Sequence, residues 1–268
     1  MSGSVVAIHA ATKVFGSGAD QTEALDPIDL EIEKGAFVSL IGPSGCGKST
    51  LLRLIGDLTQ PTAGAIEVNG KSAHAARLDR DYGIVFQSPV LFDWRTVQRN
   101  VELPLEVSSI DKQARADRAR SMLALVELSG FERRYPWQLS GGMQQRVAIA
   151  RALSFEPAIL LMDEPFGALD EMTRERLNLE LLGIWRQTGT TIVFVTHSIP
   201  EAVFLSTRVV VMSARPGHIV DVIDVDLPQP RNDLTREDPR YFSFVTRVRE
   251  SLRGRNSRAM TSEPTAAT

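Results

Sequence analysis

Short apolar, mostly β-branched runs recur along the chain at 37–41, 66–68, 83–86, 158–162, 191–195 and 209–212, and each predicts a strand. These runs are apolar throughout instead of alternating with polar residues, which is the pattern of strands buried on both faces. Stretches of helical period lie between several of them, so the chain predicts an α/β fold with a covered central sheet. Residues 88–156 break the alternation with mostly helical signals and no convincing strand, and are expected to form a helical insertion. Within it, residues 111–128 place Ala119, Met122, Leu123 and Val126 on one stripe and Lys112, Arg115, Asp117 and Arg118 on the other, an amphipathic helix whose apolar face is buried in its own subdomain. Beyond Pro228 and Pro230 a charged connector leads to a helix with Tyr241, Phe244, Val245, Val248 and Leu252 at i, i+3, i+4 spacing. The polar tail at 255–268 has little to bury and is expected to be disordered.

Composition narrows the function classes. A chain of 268 residues, 43% hydrophobic and 24% charged, holds enough apolar material for a substantial core. The net charge of −3 gives no global cationic field for nucleic acid, which is not expected as a partner. One cysteine, Cys46, cannot form an intramolecular disulfide and suits a reducing compartment. The N-terminus lacks a basic region followed by a long apolar one, and the longest apolar runs fall far short of the ~18–20 residues of a membrane span. A cytosolic chain is expected, with any membrane connection made through a partner.

The strongest chemical signal is Gly42, Pro43, Ser44, Gly45, Cys46, Gly47, Lys48, Ser49 and Thr50, which satisfies G-x-x-x-x-G-K-[ST] between a predicted strand and an apolar helix. The glycines let backbone N–H groups turn toward phosphate oxygens, Lys48 adds a cation, and the Ser49 hydroxyl can ligate Mg²⁺. A second strand ends in Asp163 and Glu164. As a neighbour of the phosphate-loop strand it would bring Asp163 to Mg²⁺ and leave Glu164 at the carboxyl edge of the sheet as a general base for water; taken alone, such an acidic pair is also the ordinary end of a strand in a solvated turn. Ser140, Gly141 and Gly142 open a helix in the insertion, which reads either as a second anion site or simply as a capped helix start.

The stretch Leu139, Ser140, Gly141, Gly142, Met143, Gln144, Gln145, Arg146 resembles the signature motif of ATP-binding cassette (ABC) ATPases, and the spacing of phosphate loop, signature and acidic strand resembles that family from Phe15 to about Asp226. The resemblance implies a P-loop NTPase of the ABC ATPase fold, with a RecA-like core, an antiparallel β subdomain and an inserted α-helical subdomain. It divides the chain into a cassette at 1–230, a helical extension at 231–254 and the tail. It implies ATP and Mg²⁺ as cofactors, Lys48, Glu164 and His197 as catalytic residues, and Ser49, Gln87 and Asp163 as the metal site. Phe15 is similar to the aromatic that stacks on adenine, its other reading being an edge-strand or core Phe. Gln87 is similar to the glutamine that senses Mg²⁺ and water, Asp170 to the loop that crosses to a second subunit, and His197 to the switch histidine. Because the family's signature faces the phosphate loop of another copy, a head-to-tail homodimer is implied.

The stretch containing Leu91, Phe92 and Trp94, with the run through Glu171 and Arg174, resembles the nitrate, sulfonate, taurine and bicarbonate importer group, which also includes pyrimidine-precursor importers. An ATPase subunit at the cytoplasmic face of the inner membrane is implied, with permease subunits docking near Phe92 and Trp94 and a solute-binding protein completing the transporter. Trp94 reads either as interface or as core of the insertion. Cys46, inside the phosphate loop, reads either as a reactive thiol whose alkylation blocks ATPase activity or as a small residue chosen for fit. A soluble cassette acting on nucleic acid or ribosomes would want a second cassette or a coiled-coil insertion, and a GTP switch would want a guanine-reading Asn-Lys-x-Asp; neither is found.

Overall fold

The computed structural model describes residues 3–254, so the tail at 255–268 lies outside the described residues. The chain runs through β1 (Ser4–Phe15), β2 (Thr22–Glu33), β3 (Phe37–Ile41), α1 (Lys48–Ile55), β4 (Ala63–Val68), β5 (Lys71–Ser72), α2 (Ala73–Leu78) and β6 (Tyr82–Val85). Then follow α3 (Val97–Val107), α4 (Lys112–Leu125), α5 (Gly141–Leu153), β7 (Ile159–Asp163), α6 (Glu171–Thr188), β8 (Thr191–Thr196), α7 (Ile199–Leu205), β9 (Arg208–Met212), β10 (Ile219–Asp224) and α8 (Pro239–Arg253).

Six strands form one sheet in the order β10-β9-β3-β8-β7-β6, parallel except for β10. The unbroken apolar runs have a direct cause here. In β3, Phe37 and Ile41 belong to one hydrophobic cluster while Val38 and Leu40 belong to another. The same division separates Leu160 and Met162 from Ile159 and Leu161, Ile192 and Phe194 from Val193 and Val195, and Val209 and Val211 from Val210 and Met212. Both faces of these central strands are covered, so neither face is free to be polar.

Four strands, β2-β1-β4-β5, form a second, antiparallel sheet. Its two long strands are not among the predicted runs. β1 departs repeatedly from regular register with β2, and β2 carries Asp26, Pro27 and Asp29 in its middle. Proline in a strand argues against a central position, and β2 accepts it because it is the sheet edge. The four strands pack with α1 and one face of the parallel sheet through Val6, Ile8, Ile28, Ile32, Leu51 and Ile55.

The insertion at 88–156 is helical, built from α3, α4 and α5, and the predicted stripe Ala119, Met122, Leu123 and Val126 is buried. The segment past Pro230 is more firmly held than a connector. Arg231 is buried and its Nη1 donates to the carbonyls of Val203, Phe204 and Ser206 at 3.1, 2.8 and 2.8 Å. Val203 and Phe204 carry two of the last carbonyls of α7, which a helix cannot satisfy internally, and Ser206 is its C-cap. Burial pushes the Arg231 guanidinium down to about 10. Beyond it, α8 buries Tyr241, Val245 and Val248 in the cluster that also contains α7 and β9.

Candidate active site

The carboxyl ends of β3, β6, β7 and β8 lie side by side, and the chain leaving each one supplies a candidate residue. The loop after β3 closes on α1, whose first residue is Lys48 and whose N-cap is Gly47 at φ +94°. A Cβ at Gly47 would lie 2.5 Å from Leu25 Cδ2 and 3.0 Å from the Ala24 carbonyl oxygen, so both backbone conformation and space require glycine there. Lys48 is buried, its Nζ donating to the carbonyls of Gly42 at 2.8 Å and Pro43 at 3.0 Å. The ammonium thus spans the loop from within. Ser49 Oγ donates to Asp163 Oδ1 at 2.6 Å, joining the phosphate loop to the end of β7.

Glu164 follows Asp163 and turns away at φ +46°, a left-handed conformation that is strained for a residue with a Cβ. Its N–H donates to the Val195 carbonyl of β8, and its own carbonyl accepts from the Gly167 N–H, both at 3.0 Å. These bonds hold the turn so that Glu164 Oε2 stands 3.2 Å from His197 Nδ1. The His197 turn has its own brace: Thr196 Oγ1 donates to the buried Glu201 at 2.5 Å and accepts from the Ser198 N–H at 3.0 Å. Burial pushes the Glu201 carboxyl above its ordinary value. Gln87 leaves β6 toward the same point, since a Cβ at Gly167 would lie 3.4 Å from Gln87 Nε2 and 3.5 Å from Glu164 Oε2. The preceding carbonyl, of Phe86, accepts from the buried Gln145 Nε2 of α5 at 3.0 Å, which ties the Gln87 turn to the helical insertion. Gln145 and Glu201 were not among the predicted site residues: Gln145 meets Phe86 across 59 positions of sequence, and Glu201 braces the Thr196 turn from the first turn of α7 without touching the cavity itself.

A cavity of 250 Å³ is lined by Phe15, Thr22, Ala24, Ser44, Gly45, Cys46, Gly47, Lys48, Ser49, Thr50, Glu164 and Arg215. Phe15 is 45% exposed, which favours a stacking surface over a core aromatic. The cavity is small and open beside complete small-molecule sites of roughly 300–1,000 Å³.

Ser140, Gly141 and Gly142 do not line it. Ser140 caps α5, accepting from the Met143 N–H at 3.3 Å, and stays exposed. A Cβ at Gly141 would lie 3.3 Å from Leu169 and one at Gly142 3.0 Å from Thr173, so this turn sits against the loop containing Asp170. Asp170 caps α6, and the Thr173 N–H it accepts at 3.0 Å holds its carboxyl below the usual carboxylate range.

Cys46 is 1% exposed and packs in the cluster with Leu25 and Leu51. That location supports the reading of a small residue chosen for fit and not the reactive thiol. Iodoacetamide should label Cys46 roughly tenfold or more slowly in the folded protein than in urea, where burial no longer limits attack. Equal rates, measured by mass spectrometry, would restore the reactive reading.

A sequence profile described as ABC transporter matches residues 25–167. The chain is 46% identical over 231 residues to the aliphatic sulfonates import ATP-binding protein SsuB of Bacillus thuringiensis subsp. konkukian, covering 86% of this chain and 90% of that one. It is 44% identical over 251 residues to the nitrate import ATP-binding protein NrtD of Synechocystis, covering 91% and 94%. Among solved structures, a dimeric post-hydrolysis state of the ATP-binding cassette MJ0796 bound to ADP and Pi superposes with a TM-score of 0.73 at 37% identity, over 82% of this chain and 98% of that one.

Proposed function

Because the chain belongs to the ABC transporter family and is the ATP-hydrolysing subunit of a bacterial importer, we propose that the cavity between Phe15 and Glu164 is its ATP site. The observation that carries this reading is the convergence of the phosphate loop, the Ser49–Asp163 pair and the Glu164–His197 pair at one end of the sheet. Phe15 would stack on adenine, while Lys48 and the N–H groups from Gly42, Ser44, Gly45, Cys46, Gly47, Ser49 and Thr50 would surround the phosphates, Pro43 shaping the loop without an N–H to give. Among the described residues no group of three or more His, Cys, Asp or Glu could hold a metal alone. A hydroxyl, a carboxylate and an amide at Ser49, Asp163 and Gln87 instead fit Mg²⁺, which keeps water and phosphate oxygens in its shell. When bound, that ion neutralises charge on the phosphate oxygens.

Glu164 would orient a water toward the terminal phosphoryl group and take its proton, giving ADP and inorganic phosphate, while His197 holds the carboxylate in place. The exposed N-terminus of α5 with Ser140, Gly141 and Gly142 would close the site on a second copy, with Asp170 on the loop beside it. Two open half-sites then make two complete ones.

For the permease, a groove of 400 Å³ is lined by Phe86, Val90, Phe92, Pro104, Val107 and Arg151, among others. Arg151 donates to the carbonyls of Val90 at 2.8 Å and Pro89 at 2.9 Å, so the groove wall is fixed next to Gln87. Trp94 is 75% exposed, with its ring 4.8 Å from that of Phe92. The interface reading of Trp94 is favoured over the core reading, whereas Leu91 is half-buried against the main cluster. A permease helix in this groove would feel movement at Gln87. No helix among the described residues is long and apolar enough to cross a membrane, so attachment to the cytoplasmic face would run through this contact. The transported solute is of the sulfonate or nitrate type, delivered by a solute-binding protein.

The test is co-purification of tagged chain from detergent-solubilised native membranes. A multi-span permease should accompany the unaltered protein, and Trp94→Ala should recover roughly tenfold less of it, the loss of an interfacial aromatic anchor. Recovery of ribosomal or DNA-associated proteins alone would overturn the importer reading.

A further inference from the structure

Besides Lys48, the cavity lining carries a second cation, Arg215. Arg215 is exposed, and among the described residues no carboxylate pairs with it. Its Nη2 lies 3.8 Å from the position a Cβ would take at Gly45, at the tip of the phosphate loop. The turn that carries it, between β9 and β10, is fastened on every side. Ser213 N–H donates to the His218 carbonyl at 2.9 Å, Ser213 Oγ donates to the Pro216 carbonyl at 3.1 Å, and the His218 N–H donates to Ser213 Oγ at 3.0 Å. Gly217 exchanges bonds with β2, its N–H donating to the Ala24 carbonyl and its carbonyl accepting from the Asp26 N–H, both at 3.0 Å. A Cβ at Gly217 would lie 2.0 Å from the Cys46 carbonyl oxygen, so only glycine lets the turn rest directly on the phosphate loop.

We propose that Arg215 is a phosphate-binding residue, a second cation that reaches over the mouth of the loop to the outer phosphates of a nucleoside triphosphate. The proposal rests on the reading of this cavity as the ATP site. A fully ionised triphosphate carries more negative charge than Lys48 and a bound Mg²⁺ balance together, and a guanidinium presents paired N–H donors that match phosphate oxygens. The braced turn is what makes the contact effective, because a long side chain on a fixed backbone loses less freedom on binding than one on a loose loop.

The test is calorimetric titration of the full chain with ATP and Mg²⁺, in a Glu164→Gln background so that the ligand is not consumed, and in parallel with ADP and AMP. Arg215→Ala should weaken ATP by roughly tenfold or more, the loss of a charge-assisted phosphate contact, with a smaller effect on ADP and least on AMP. Arg215→Lys should recover part of the loss. Arg215→Ala should leave the melting temperature unchanged, since the side chain is exposed and makes no ion pair among the described residues. Unchanged ATP affinity in Arg215→Ala would overturn the proposal, as would equal weakening of AMP and ATP, which would place the contact at the nucleoside. Lys48→Ala in the same background separates the two readings. If Lys48→Ala weakens ATP and Arg215→Ala does not, only the Arg215 contact fails; if neither does, the cavity is not the ATP site.

Discussion

Glu164→Gln will bind ATP and scarcely turn it over. The substitution keeps the shape of the side chain and a group able to hydrogen-bond His197, 3.2 Å away, but removes the carboxylate that accepts a proton from water. Loss of a positioned general base costs about 10²–10⁴ in rate, so kcat should fall by that much while the affinity for ATP stays within a few fold. Because hydrolysis is then slow relative to assembly, two copies closed over ATP should accumulate. Size-exclusion chromatography with and without ATP reads the shift to dimer, and a phosphate-release assay reads kcat. Turnover at the rate of the unaltered chain would remove Glu164 as the base and leave its left-handed backbone without a functional account.

Lys48→Ala should do the opposite, losing the nucleotide before chemistry is reached. Lys48 donates to the Gly42 and Pro43 carbonyls from a buried position, so in the resting loop its charge is already desolvated and aimed into the cradle. On binding, one or two of those donors turn to phosphate, and a charge-assisted hydrogen bond is worth about 1.5–3 kcal/mol. Two such contacts correspond to roughly a hundredfold or more in Kd. Titration with ATP measures the loss, and the melting temperature reports separately on the two carbonyls left without their donor. A Kd within a few fold of the unaltered chain would remove Lys48 as a phosphate ligand and, with Arg215→Ala equally silent, would remove this cavity as the ATP site.

The central sheet was legible because burial on both faces writes itself into composition: a strand such as 191–196 has no position at which water is met, so every residue is apolar or a partnered Thr. The helical insertion was legible for the related reason that one-sided burial leaves a stripe. The antiparallel sheet was legible only through the family resemblance and the short run at 66–68 in β4, not from its long strands. Its long strands β1 and β2 are interrupted by register shifts and by Pro27, and local pattern has no means of saying that a proline stands at an edge. The site divided in the same way. The phosphate loop is contiguous, and its glycines are demanded by close approach within a few residues, so its chemistry could be read directly. Arg215 and Gln145 act across separations that no local spacing encodes: Arg215 reaches the cavity through a turn fastened to β2 and resting on Cys46, and Gln145 reaches Phe86 from the helical insertion.

By itself, then, the sequence determined the class of fold, the phosphate cradle with Lys48 and Ser49, and the acids Asp163 and Glu164 at the end of a buried strand, because each depends on residues near one another in the chain. Only the tertiary structure decided which side chains meet. It set Glu164 against His197, left Ser140 outside its own chain's cavity, buried Cys46, exposed Trp94 and brought Arg215 to the loop. Those outcomes follow from how strands far apart in sequence pair and how turns pack on one another, and that packing is fixed by the whole core and not by any one segment.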